Sequence, residues 1–279
     1  CISSAASDVY KRQVEIRLDS KNYSAVVKSK IVYRVEQVIA IGQYGKIENK
    51  RSCTGDIMNG KLIVLEGIDG SGKATQSGLL EDHLIKRGKD VMHISFPDYG
   101  SPSSALVKMY LNGDFGRAPG DVNPYAASML YAVDRFASFR MKWKSFYENG
   151  GVVIADRYTT SNMVHQMTKY DDEGKRKEFL SWLDHMEYEE LELPRPDVVI
   201  LLDVPPAVSK KLVRERAKQG GSMDIHEQHS AYLEKCCDAY QVLCETYGWL
   251  RISCMADGRL RSADDISKEV LDAVLSRLG

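Results

Sequence analysis

The residues best equipped for chemistry begin with a lysine set among glycines. Between Lys61 and Gln76 the chain reads KLIVLEGIDGSGKATQ, in which Gly67, Ile68, Asp69, Gly70, Ser71, Gly72 and Lys73 fit the pattern GxxxxGK. Such a loop lets backbone N–H groups close around phosphate oxygens. The helix that opens at Ala74 and Thr75 adds the positive end of its dipole. Lys73 would then reach the β- and γ-phosphates of a nucleoside triphosphate. A chance turn is the competing reading, and the order of strand, loop and helix argues against it.

Three further groups could act on the same ligand. Asp156 and Arg157 follow the apolar run GVVIA, Gly151 to Ala155. A carboxylate at a strand tip downstream of a phosphate loop is where such proteins hold a metal ion or its water shell. The alternative is an Asp–Arg salt bridge that caps the next helix. Tyr131 and Arg135 lie about one turn apart on one face of a helix expected over Pro124–Glu148. Taken alone, that spacing is as expected of a core aromatic beside a solvated charge. Lys210, Lys211, Arg214 and Arg216 lead into the glycine-rich Gln219–Ser222, which reads as a lid. Those charges by themselves also fit a solvated face.

Positioning these groups requires alternating strands and helices, and the pattern supplies them. Strands are expected at Lys61–Glu66, Asp90–Phe96, Gly151–Ala155, Asp197–Asp203 and Trp249–Ser253. Helices are expected at Ala74–Arg87, Pro124–Glu148, Gly174 to about Glu190, from Pro206, and Ala263–Leu278. The tract after Tyr158 is polar and reads as mobile. The alternation predicts an α/β fold with a parallel sheet. The loop FPDYGSP after the second strand then falls at the carboxyl end of the sheet, where such folds bind ligands.

Composition narrows the class. A chain of 279 residues with 43% hydrophobic residues can bury a full core. Its net charge is −1, with ten Lys/Arg against six Asp/Glu in residues 1–59 and 28 against 33 in the remainder. The part carrying the loop is mildly acidic, which argues against nucleic acid as a partner. The six cysteines form no CxxC pair and have no histidine at zinc spacing, so a reducing compartment and the cytoplasm are expected. No apolar run approaches a membrane span. Residues 1–57 are expected to be a disordered, non-native leader. Ser3 to Gln13, SSAASDVYKRQ, resembles the translation of a transposon-derived library adapter, and Val14–Ile57 reads as upstream read-through before a start at Met58. A small β-rich appendage is the rival reading.

In order along the chain, EGIDGSGK, FPDYG, LYAVDR and DRYTTSN together resemble the thymidylate kinases, over about Lys61 to Leu278. The resemblance implies a three-layer P-loop NTPase fold with a central parallel sheet of about five strands, flanked by helices and carrying a helical lid at about 214–226. It implies phosphorylation of dTMP to dTDP by ATP with Mg²⁺, in a homodimer. Position by position, it places Asp69 near the sugar and phosphate of dTMP, and Phe96, Pro97 and Tyr99 in the acceptor pocket. Tyr131 stands where relatives stack a Phe on thymine, and Arg135 donates to thymine O4. Asn162 hydrogen-bonds the base edge. Asp156 and Arg157 organise metal and phosphates, Arg214 and Arg216 are lid arginines, and Glu227 is a glutamate just after the lid.

Two positions depart from the family pattern. Ala74 stands where a Ser or Thr usually touches Mg²⁺, with Thr75 better placed for the α-phosphate. His165 lies where many relatives carry a Tyr that blocks a ribose 2′-hydroxyl. Gly70 replaces the basic loop residue of some members, which assigns that task to the lid. The remaining alternatives are a kinase for another pyrimidine nucleotide or nucleoside, or a catalytically silent P-loop protein. No NKxD tetrapeptide supports a guanine-nucleotide switch.

Overall fold

Strand β1, Lys61–Glu66, is buried on both faces after its first residue, as a central parallel strand must be. The structure is a computed structural model that describes residues 60–218 and 230–278. The expected leader over residues 1–57 lies outside the described residues, as do most of the expected lid and Glu227.

Helix α1, Lys73–Ile85, follows β1, then β2, Val91–Ser95. A 3₁₀ turn, Pro102–Ser104, leads into α2, Ala105–Leu111. Helix α3, Pro124–Ser138, continues through a π turn, Phe139–Trp143, into α4, Lys144–Glu148. Then come β3, Val152–Asp156, and α5, Thr159–Met167. Helix α6, Glu173–His185, ends in a second π turn, Met186–Glu190, before β4, Val198–Asp203. Helices α7, Pro206–Lys218, and α8, Ser230–Tyr247, precede β5, Leu250–Ser253. A two-residue pair, β6 Met255–Ala256 and β7 Arg259–Leu260, and α9, Ala263–Leu278, complete the order.

The five main strands form one sheet in the order β2-β3-β1-β4-β5, parallel throughout, as the sequence predicts. Alternate residues of β1 feed opposite layers. Ile63 and Leu65 join Leu80, Leu84, Ile266, Val270 and Val274 beneath α1 and α9. Leu62 and Val64 join Trp143, Tyr158, Val164, Phe179, Leu183 and Tyr240 on the other side. Local signals set the helix starts. Asn123 Oδ1 accepts from Ala126 N at 2.8 Å with Pro124 in the first turn of α3, and Asp172 Oδ1 accepts from Lys175 N at 2.8 Å at the start of α6. The tract after Tyr158 is corrected: TTSNMVHQM is the helix α5, and seven of its nine residues are buried. Its Thr159, Thr160, Ser161 and Asn162 side chains donate to protein partners, so polarity there was no sign of a loop. Among the described residues no helix is long and apolar enough to cross a membrane.

The start of β3 is packed against α4 with no space to spare. A Cβ on Gly151 would stand 2.3 Å from Phe146 Cε1, and one on Gly60 would stand 2.3 Å from Gly151 O. Gly151→Ala is therefore expected to destabilise the protein by about 1–3 kcal/mol, the usual cost of overpacking. Urea unfolding of the two proteins checks this.

Candidate active site

The loop between β1 and α1 takes its shape from glycines. Gly67, Gly70 and Gly72 have φ of 147°, 75° and 90°, a region costly to side chains. At Gly67 a Cβ would also meet Ser71 Oγ at 2.6 Å and Leu202 O at 2.8 Å. No side chain caps α1, so its first-turn N–H groups face the loop's concavity. Lys73 is buried and Nζ donates to Gly67 O at 2.9 Å and Ile68 O at 3.1 Å. Burial, with Arg157 adding to it, pushes the Lys73 ammonium down to about 8.

Arg157 leaves β3 with φ 67°, a left-handed conformation that costs a non-glycine residue roughly 1–3 kcal/mol. Its Nη2 meets Asp69 Oδ1 at 2.5 Å and its Nη1 donates to Ser161 Oγ at 3.2 Å. The ion pair of Arg157 is thus with the phosphate loop and not with Asp156, which removes the helix-capping alternative. Burial favours a neutral Asp69, but Arg157, Lys73 and His165 outweigh it and hold the carboxyl well below the usual range. Ser209 Oγ of α7 donates to Asp69 O at 2.5 Å, and a Cβ on Gly70 would stand 3.2 Å from Ser209 O. Helix α7 is seated directly on the loop.

A cleft of about 810 Å³ opens from this loop, a size usual for small-molecule sites. Asp69, Gly70, Gly72, Lys73, Ala74, Thr75, Asp156 and Arg157 line it, together with Phe96, Pro97, Tyr99, Tyr131, Arg135, Asn162 and His165. Gly67, Ile68 and Ser71 belong to the loop and do not line the cleft. Arg214 is exposed on α7 and is not part of the lining, and the side chain of Arg216 is outside the described set.

Four residues that sequence reasoning left unassigned complete the site. Arg135, 2% exposed, is not a solvated charge: its Nε donates to Glu187 Oε2 at 2.9 Å and its Nη2 pairs with Glu187 Oε1. Burial disfavours the guanidinium, and Glu187 more than restores it. Thr159 Oγ1 also donates to Glu187, at 3.1 Å. Glu187 sits in the second π turn, which no sequence signal marks. Asp134, adjacent to Arg135, accepts from Asp98 N at 2.8 Å and Ser103 Oγ at 2.5 Å, so α3 holds the FPDYG loop. Gln166 is fully buried on the cleft wall, and neither of its amide atoms has a hydrogen-bond partner among the described residues. Glu66, the last residue of β1, accepts hydrogen bonds from Thr160, Ser161 and Tyr240. Asp134 and Glu66 lie within the quoted motifs LYAVDR and EGIDGSGK, and only their burial distinguishes them. His165 Nδ1 lies 3.2 Å from Tyr232 Oη, whose hydroxyl donates to His165 O at 2.8 Å.

A glycine-rich phosphate loop at the carboxyl end of a parallel sheet, with a buried lysine and a cleft opening from it, defines a P-loop α/β protein. The thymidylate kinase model matches residues 65–255, and the chain belongs to that family. It is 31% identical over 224 residues to a probable thymidylate kinase of Pyrococcus abyssi, covering 79% of this chain and 98% of the relative. It is 29% identical over 191 residues to the thymidylate kinase of Mycobacterium tuberculosis, covering 67% and 87%. The solved thymidylate kinase of Candida albicans shares the fold with a TM-score of 0.58 at 21% identity, over 78% of this chain and 92% of that one.

Removing one partner of a buried pair strands the other charge, which costs about 3–5 kcal/mol. Glu187→Ala is expected to lose stability on that scale in denaturant titration.

Proposed function

We propose that this chain phosphorylates dTMP to dTDP, with ATP as donor and Mg²⁺ as its counter-ion. The observation that carries the reading is the single cleft joining the Lys73 loop to Tyr131, Arg135, Asn162 and Gln166. Phosphoryl transfer asks the protein mainly for positioning and charge neutralisation. Lys73 would exchange the carbonyls of Gly67 and Ile68 for phosphate oxygens, and the uncapped turn of α1 would supply N–H donors. Arg157 would address the phosphates from the pair with Asp69. Arg214 and Arg216 would add cations from α7, whose base is seated on Gly70.

For the metal, the donor set fits an ion carried by the nucleotide. Among the described residues no three His, Cys, Asp or Glu side chains cluster for a metal, and Ala74 offers no hydroxyl. Asp156 and phosphate oxygens would hold it, and when bound it offsets phosphate charge.

At the other end, Tyr131, edge-on to Tyr110 at 6.1 Å, would offer its face to the base. The ion pair with Glu187 leaves other N–H groups of Arg135 for a base oxygen. The Gln166 carboxamide can both accept from and donate to a pyrimidine edge, which supports a base as occupant. The resemblance also implies a homodimer. Met129, Val133 and Phe136, exposed along one face of α3, support it. A reducing, cytoplasmic setting is consistent with free Cys236, Cys237, Cys244 and Cys254.

The decisive experiment is ADP release with ATP and Mg²⁺ against dTMP, dUMP, dCMP and thymidine. dTMP is expected to be preferred and dUMP to be a poorer substrate, because one methyl is worth only about 1–3 kcal/mol. The dCMP 4-amino group would point a donor at Arg135 and should be strongly rejected; equal kcat/KM for dTMP and dCMP would refute the base assignment. Arg214→Ala and Arg216→Ala are expected to lower kcat far more than they raise KM for dTMP, on the scale of ~10³-fold or more for a full arginine-finger role. Lys73 loses its proton as pH rises through about 8, and a bound phosphate raises its proton affinity. ATP binding should therefore weaken above that pH and take up close to one proton, read by calorimetry in buffers of different ionisation enthalpy.

A further inference from the structure

Glu66 is 0% exposed at the end of β1, one residue before the phosphate loop. The hydrogen bonds it accepts come from hydroxyls: Thr160 Oγ1 at 2.6 Å and Ser161 Oγ at 2.9 Å on Oε1, then Ser161 Oγ at 2.9 Å and Tyr240 Oη at 2.9 Å on Oε2. A buried carboxylate is costly unless such donors answer it. Here they come from two helices, α5 and α8, and converge on the strand that leads into the phosphate loop.

The orientation of Ser161 follows from proton counting. Its hydroxyl has one hydrogen, and an ionised carboxylate can only accept, so that hydrogen points at Glu66. The oxygen lone pairs are then turned outward, and one receives Arg157 Nη1 at 3.2 Å. Arg157 is thus gripped on both sides, by Asp69 at Nη2 and by Ser161 at Nη1.

We infer that Glu66 is a positioning residue that acts through Ser161 to hold the Arg157 guanidinium in the cleft. A glutamine at 66 keeps the volume but offers an N–H₂ to hydroxyls that all donate in the native arrangement. Ser161 can then turn its hydrogen toward the guanidinium, which places donor against donor. The inference rests on the reading that Arg157 acts on phosphates, and Arg157→Ala tests that reading separately.

The experiment measures kcat, both KM values and melting temperature for Glu66→Gln, Ser161→Ala, the double variant and Arg157→Ala. A misplacement of a catalytic group by about 1 Å can cost on the order of 10²-fold, and each single variant should lose kcat on the scale of ~10-fold to that limit. The KM for ATP should stay near the native value. The double variant should be no worse than the more damaged single one, because both remove the same link. A merely structural carboxylate would instead lower melting temperature while folded enzyme kept its kcat. Losses that multiply in the double variant, or single variants with native kcat, would overturn the inference. If Glu66→Gln does not fold, Ser161→Ala decides, since it cuts the link and leaves the carboxylate in place. Native kcat in Arg157→Ala would overturn the reading of the site itself.

Discussion

The ion pair between Arg157 and Asp69 is the contact on which the site depends. It joins the carboxyl end of β3 to the middle of the phosphate loop, two segments 88 residues apart. Each partner is also held from behind: Asp69 through its carbonyl by Ser209 of α7, and Arg157 by Ser161 of α5. The pair fixes the loop's acidic member. Its cost is a left-handed residue at the end of a strand and two desolvated charges. Such an arrangement persists only where the surroundings over-determine it, and here two helices and two strands do so.

The far end of the cleft follows the same logic with different partners. Arg135 can be buried because Glu187 takes two of its donors, and Glu187 can be buried because Thr159 takes part of its remaining capacity. Asp134, its neighbour on α3, faces the other way and clasps the loop at Asp98 and Ser103. One helix therefore presents a cation to the cleft and an anchor to the loop that walls it. Helix α5 serves as the shared partner, touching Glu66, Glu187 and the cleft along its length.

Much of this was legible in the chain. The five strands, the phosphate loop and the starts of α3 and α6 follow from apolar runs, glycine spacing and capping residues, all of which act over a few neighbours. Helix α5 was not legible, since a polar stretch signals a loop unless the partners of its side chains are known. The π turn bearing Glu187 had no signal, because a π turn depends on what the side chain reaches and not on propensity. Helix α2 and the β6–β7 pair are short and carry no strong period.

By itself the sequence determined the glycine-rich loop between strand and helix and the parallel α/β scaffold, and its motif order determined the family. Those follow from local sterics and periodicity. Only the tertiary structure decided which charges meet: that Arg157 answers Asp69 and not Asp156, that Arg135 is buried on Glu187, and that Gln166 reaches the cleft with its amide unpaired among the described residues. Pairing of desolvated charge depends on distances between segments far apart in the chain, and no local pattern encodes those.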